Sequence, residues 1–150
     1  MLLDLFDLIY GITQPTQELT AVRGRPGQIY VEVDGDDTEP ICRWLIMNPD
    51  GTARDVSDVT STATLYYRAS GFYKTYWKVE LTKTNGGGDG LVDYRPSLTE
   101  PFLPSGFVIS NPSGIYRFHG QLVFEDSVTG ETVRFKDALV ADVHPVFAEP

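Results

Sequence analysis

Gly114-Ile-Tyr-Arg-Phe-His-Gly-Gln-Leu-Val-Phe-Glu125 sets Tyr116, Phe118, Leu122 and Phe124 on one face of an extended chain and Arg117, His119, Gln121 and Glu125 on the other. A pleated strand turns successive side chains to opposite faces, so this alternation predicts a half-buried antiparallel strand. Moving outward, the turn Asp126-Ser-Val-Thr-Gly130 leads into Glu131 to Phe135, and Ala138 to Val143 follows. Upstream, Gln28 to Val33 alternates Ile29, Val31 and Val33 with Tyr30 and Glu32, and Ile41 to Met47 carries Cys42, Trp44 and Ile46 at every second place. Thr62 to Arg68 aligns Ala63, Leu65 and Tyr67, and Tyr73 to Lys83 opposes Trp77, Val79 and Leu81 to Tyr76, Lys78 and Glu80. Leu91 to Tyr94 and Phe107 to Ser110 read as short strands around a loop that Pro96, Pro101 and Pro104 keep out of any central sheet position.

Short strands cut by turn signals such as Asn48-Pro-Asp-Gly51 predict a two-layer architecture: an all-β, immunoglobulin-like antiparallel β-sandwich over residues 28–150. Residues 1–27 are expected to form an N-terminal arm and linker, helical or extended. In the arm, Leu2, Leu5, Phe6 and Ile9 share one face of a helix, Asp4 and Asp7 lie off it, and Gly11 and Pro15 stop it. So short a helix needs its apolar face covered, by its own sandwich or by a neighbouring subunit. Thr13 to Gly27 reads as an extended linker, and Asn85-Gly-Gly-Gly-Asp-Gly90 as a flexible hairpin tip.

Bulk properties narrow the function. At 150 residues the chain is long enough for one core, and 8 Tyr, 8 Phe and 2 Trp suit a β-rich one. A formal charge of −9 argues against nucleic acid, whose phosphates are bound by Lys and Arg, and against an anionic membrane surface. No window approaches the roughly 20 apolar residues of a membrane-spanning helix. The start lacks the basic region and cleavage site of a secretion signal, so a soluble chain made in the cytoplasm is expected. Cys42, the single cysteine, has no disulfide partner in the chain and reads as a buried thiol.

A search for chemistry finds little to assemble, so neither an enzyme nor a cofactor is expected. His119 and His144 stand apart, and no Gly-x-Ser-x-Gly elbow is present. Asp34, Asp36, Asp37 and Glu39 are dense enough to hold a hard cation. Their spacing misses the EF-hand, because the glycine stands second and Leu45 occupies the twelfth place; a solvated acidic turn is the simpler reading. The glycine run lacks the helix and Lys-Ser or Lys-Thr of a phosphate loop. Among the dense aromatics of one hairpin, alternation sends Tyr67 and Trp77 inward. It leaves Tyr66, Tyr73 and Tyr76 outside, as an interface, a carbohydrate platform, or cross-strand packing within the sheet.

Asp50-Gly51, then Asp55-Val-Ser-Asp-Val-Thr-Ser-Thr-Ala-Thr-Leu-Tyr-Tyr67, a second strand ending near Leu81, Gly114-Ile-Tyr-Arg-Phe-His-Gly120, and the hairpin Glu125-Asp-Ser-Val-Thr-Gly-Glu-Thr-Val-Arg-Phe135 together resemble the N-terminal immunoglobulin-like domain of phage baseplate upper proteins and related modules of tailed-phage virions. The resemblance runs from about Gln28 to His144. It implies a non-enzymatic virion protein whose partners are other virion proteins, the major capsid protein or tail and baseplate proteins, with many copies on one particle. Longer members continue into a trimerising stem, whereas this sequence stops at Pro150, and its apolar arm looks more like the clamp of small capsid cement proteins. A capsid decoration or cement subunit docking through Leu2, Leu5, Phe6, Ile9 and the outer tyrosines is therefore expected. A baseplate or tail accessory subunit is the alternative, and a carbohydrate-binding or adhesin module a further one.

Overall fold

Inward-facing residues of every long strand meet in one apolar layer between two sheets. The computed structural model describes residues 9–14, 18–21, 28–36, 41–48, 50, 52–111 and 113–145, with only the backbone for 9–14, 18–21, 84 and 135–137. The strands are β1 Ile9–Gln14, β2 Glu18–Ala21, β3 Ile29–Asp34, β4 Ile41–Ile46, β5 Val59–Ala69, β6 Phe72–Glu80, β7 Thr82–Lys83, β8 Leu91–Tyr94, β9 Tyr116–Asp126 and β10 Thr132–His144. One sheet runs β2-β1-β4-β8-β7 and the other β3-β10-β9-β5-β6. The protein is thus an all-β sandwich, with Ile29, Cys42, Trp44, Ile46, Leu65, Phe118, Leu122 and Phe124 fully buried in its core.

Strand β9 lies between β5 and β10 and sets the register of both. Its first residue also fastens the loop before it. The Tyr116 hydroxyl donates to the Asn111 carbonyl at 3.2 Å and accepts from the Asn111 N–H at 2.6 Å, the tyrosine-corner arrangement of immunoglobulin-like sandwiches. Two Arg–Asp clasps hold the sheets laterally. Asp93 of β8, almost wholly buried, takes Arg43 of β4 on both oxygens at 2.7 and 2.9 Å, and Arg95 at 2.9 Å. Asp142 of β10 takes Arg117 of β9 at 2.8 and 3.0 Å, and the Tyr30 hydroxyl of β3 donates to it from the other side.

Several expectations are corrected. Strands β3 and β10 pair in parallel, so the sandwich is mixed rather than wholly antiparallel. The linker reading of 13–27 fails where it is described: Ile9–Gln14 pairs antiparallel with β4, and Glu18–Ala21 pairs with β1. Ile9, assigned to a helix face, opens β1 opposite Ile46, because pairing with an available sheet edge outweighs weak local preference. Leu2, Leu5 and Phe6 lie outside the described residues. Phe107 to Ser110 is irregular rather than a strand. The two final predicted strands form one, β10, whose register with β9 shifts between Phe135 and Leu139.

The glycine run is not a loose tip. The Gly87 carbonyl accepts the Val56 N–H at 2.9 Å, and that of Gly90 accepts the Ile46 N–H at 2.8 Å. A Cβ on Gly90 would stand 2.6 Å from the Ile46 carbonyl oxygen, and φ there is +75°. Gly90→Ala is therefore expected to cost about 2–4 kcal/mol, from overpacking and left-handed strain together. Gly106→Ala, whose Cβ meets nothing within 4 Å, serves as the neutral control in urea denaturation.

The Arg117 guanidinium, with help from Tyr30, holds the Asp142 carboxyl below the usual carboxylate range. A carboxylate with a depressed folded pKa contributes stability that is present above its unfolded value of about 3.9 and is lost as pH falls through the folded value. Asp142→Asn should thus lower stability at neutral pH by about 1–3 kcal/mol. The gap to the parent should narrow as the solution is acidified from pH 5 toward about pH 2. A gap that stays constant over that range would show that the charge contributes nothing.

Candidate aromatic hairpin and edge groove

The β5–β6 hairpin closes through Ser70 and Gly71, with φ of +50° and +87°. Positive φ at both central residues gives the tight turn whose twist matches the flanking strands. The turn holds Phe72 and Tyr73 at the end of the sandwich, 75% and 60% exposed, and the strand alternation sends them to opposite faces.

On the outer face, Tyr73 meets Tyr66 edge-on at 5.2 Å between ring centres, and the Arg68 guanidinium lies 5.4 Å from the Tyr73 ring. Tyr66 in turn stacks on His119 of β9 at 5.4 Å and 17°. Aromatic–aromatic and cation–π contacts of this kind fix ring orientation while leaving an edge or face open. Tyr66 and Tyr73 thus come together outside, as expected.

Tyr76 does not join them. The β5–β6 register shifts after Leu65, so that Leu65 pairs with Trp77 but Tyr66 pairs with Thr75. Tyr76 is the extra residue of this bulge, and a bulge re-aims the side chain it carries. Its ring packs on Phe107 at 5.8 Å and Phe118 at 6.1 Å, on the core side. Phe107 is the hub there, within 4.9 Å of both Tyr67 and Tyr116 and 5.0 Å of Phe118.

Strand β6 is an edge of its sheet. Beside it the proline loop leaves two adjoining hollows of about 320 and 270 Å³ that share Lys74, Tyr76 and Gly106. The Trp77 indole N–H donates to the Pro101 carbonyl at 3.0 Å, which ties the loop to the strand and fixes the groove's width. Lys74 extends over the Tyr76 ring at 5.0 Å. Val108, strongly exposed, stands on the rim.

Other sequence candidates lie elsewhere. Asp34, the last residue of β3, and Asp36, just past its end, are exposed, while Asp37 and Glu39 fall outside the described residues. Among the described residues no group of three His, Cys, Asp or Glu side chains comes together as metal ligands. The His144 Nε2 lies 2.6 Å from a Glu32 carboxylate oxygen on the outer face. Cys42 is completely buried, and burial pushes its thiol up, so it stays protonated and unreactive.

Phe72 and the groove were missed by sequence reasoning. Phe72 carried a signal, since an aromatic residue directly after a Ser-Gly turn has no strand ahead of it to cover its ring. The groove had none, because its far wall comes from a loop about 25 residues downstream. No protein-family model matches this sequence, and no curated protein matches it.

Proposed function

We propose that this chain is a non-catalytic docking module carried in many copies on a larger particle, and that it grips its neighbour through the β5–β6 hairpin. The carrying observation is the pair Phe72 and Tyr73, two large rings held out on a tight turn at the edge of a sheet. Rings with two rotatable bonds on a rigid turn lose little entropy on binding, and full burial of each contributes about 1.5–3 kcal/mol. Ordering and desolvation costs reduce that surplus, so many copies acting together suit such a patch better than a single tight contact.

The kind of particle is taken from the likeness to immunoglobulin-like modules of tailed-phage virions. Within that class a capsid decoration or cement subunit fits best, ahead of a baseplate or tail accessory subunit. Strand β1 ties the second half of the arm to its own sheet. Contact with a neighbour through the arm then rests on Leu2, Leu5 and Phe6 rather than Ile9.

Exposure of both rings predicts that Phe72→Ser with Tyr73→Ser lowers the unfolding free energy measured in urea by no more than about 2 kcal/mol, the size of the lost Tyr66 and Arg68 contacts. Incorporation into particles assembled in the cell should fall by at least tenfold. Unchanged incorporation would rule out docking through the hairpin. Glycan-array binding that depends on Tyr73 would instead favour the carbohydrate reading, for which the open Tyr73 face beside Arg68 is the relevant feature.

A further inference from the structure

We propose that the smaller of the two hollows beside β6 receives the β9–β10 turn of a second copy, with Val128 as the knob, so that copies join head to tail. This rests on the docking-module reading and names the neighbour that the hairpin end meets. Three observations carry it.

The first is a rigid apolar knob. Val128 is 80% exposed on the turn Asp126-Ser-Val-Thr-Gly-Glu131. The Asp126 carboxylate accepts the Val128 N–H at 2.8 Å and the Thr129 N–H at 3.1 Å, and the Ser127 N–H donates to the Asp58 carbonyl at 2.9 Å. The turn is fixed before it meets a partner, so docking costs it little freedom.

The second is a hollow of matching character. The space of about 270 Å³ lies beside Tyr67 and Ala69 near the end of β5, and Phe72 stands opposite Ala69. Its lining is part apolar, from Ala69, Phe107 and Val108, and part polar, from Lys74 and Ser110. Such a mixed lining suits one apolar side chain set between polar ones. Val128 between Ser127 and Thr129 is such a group.

The third is charge and position. Lys74 is the single charged residue lining this hollow; it rests on the Tyr76 ring and meets no carboxylate among the described residues. Asp34 and Asp36 stand at the same end, but on β3, the opposite edge of that sheet. Around Val128 the balance is acidic, since Asp58, Glu125, Asp126 and Glu131 outnumber Arg54 and Lys83 there. The two patches therefore attract each other. They also lie apart. Val59, opposite Asp126, and Ala69, opposite Phe72, are the two ends of β5. That is roughly 30 Å at about 3.3 Å per residue, so one copy cannot fill its own hollow. A second copy stacked end to end fills it, and a contact between different patches builds rings or open chains.

The test is sedimentation velocity of the full chain up to millimolar concentration, beside Val128→Ser, Lys74→Glu and an equimolar mixture of the two. The parent should form oligomers that grow beyond the dimer, and each variant should associate at least tenfold more weakly. One variant keeps the hollow and the other keeps the knob, so the mixture should regain association and stop at the dimer. That recovery also shows that both variants are folded. A parent that remains monomeric, variants that associate as it does, or a mixture no better than its components would each overturn the proposal. Loss of particle incorporation in the Phe72 and Tyr73 variant with a monomeric parent would remove this inference and keep the docking reading. Growth of the parent beyond the dimer with normal incorporation of that variant would remove the docking reading and keep the head-to-tail contact.

Discussion

Apolar side chains on one face of β9 fill the space between the sheets, and the groove beside β6 is a consequence of that packing. Phe118, Leu122 and Phe124 are completely buried, and the strand that carries them pairs with β5 on one side and β10 on the other. The Tyr116 hydroxyl latches the preceding loop to the start of this strand. That latch and the rings around it hold Phe107 against Tyr67, Tyr76 and Phe118, where it floors part of the groove. Take away the fixed position of β9 and neither the loop nor the groove keeps its shape.

Charge is used differently along the two sheets and at the β5–β6 hairpin. The Asp93 and Asp142 clasps are bidentate, and each links neighbouring strands, so these guanidinium groups are engaged within the fold. At the hairpin the balance reverses. Arg68 lies over the face of the exposed Tyr73 ring and Lys74 over that of the half-buried Tyr76 ring. Cations already resting on rings cost little to desolvate, which suits a contact surface that must exclude water.

The sandwich was legible wherever a strand's own alternation decided its burial. Ile29, Val31 and Val33, then Cys42, Trp44 and Ile46, point inward as their spacing requires. Legibility failed where a distant partner decides. Tyr76 changes side because β5 and β6 slip by one residue, and no feature within β6 announces the slip. The glycines at 87 and 90 look like a loose loop in sequence but are close-approach positions against Val56 and Ile46. Ile9–Gln14 contains Gly11 and ends beside Pro15, which locally argues against a strand, yet it completes the sheet next to β4. Half of the candidate site, Tyr66 and Tyr73, was readable by parity; Phe72 and the groove required the folded chain.

Hydrogen–deuterium exchange on the free chain and on the same chain bound in its particle tests docking through the hairpin most directly. The amides of Ala69 to Glu80 should exchange at least tenfold more slowly in the bound state, while those of β3 and β8 remain unchanged. Protection confined to another part of the sandwich, with the hairpin exchanging as it does in the free chain, would contradict it.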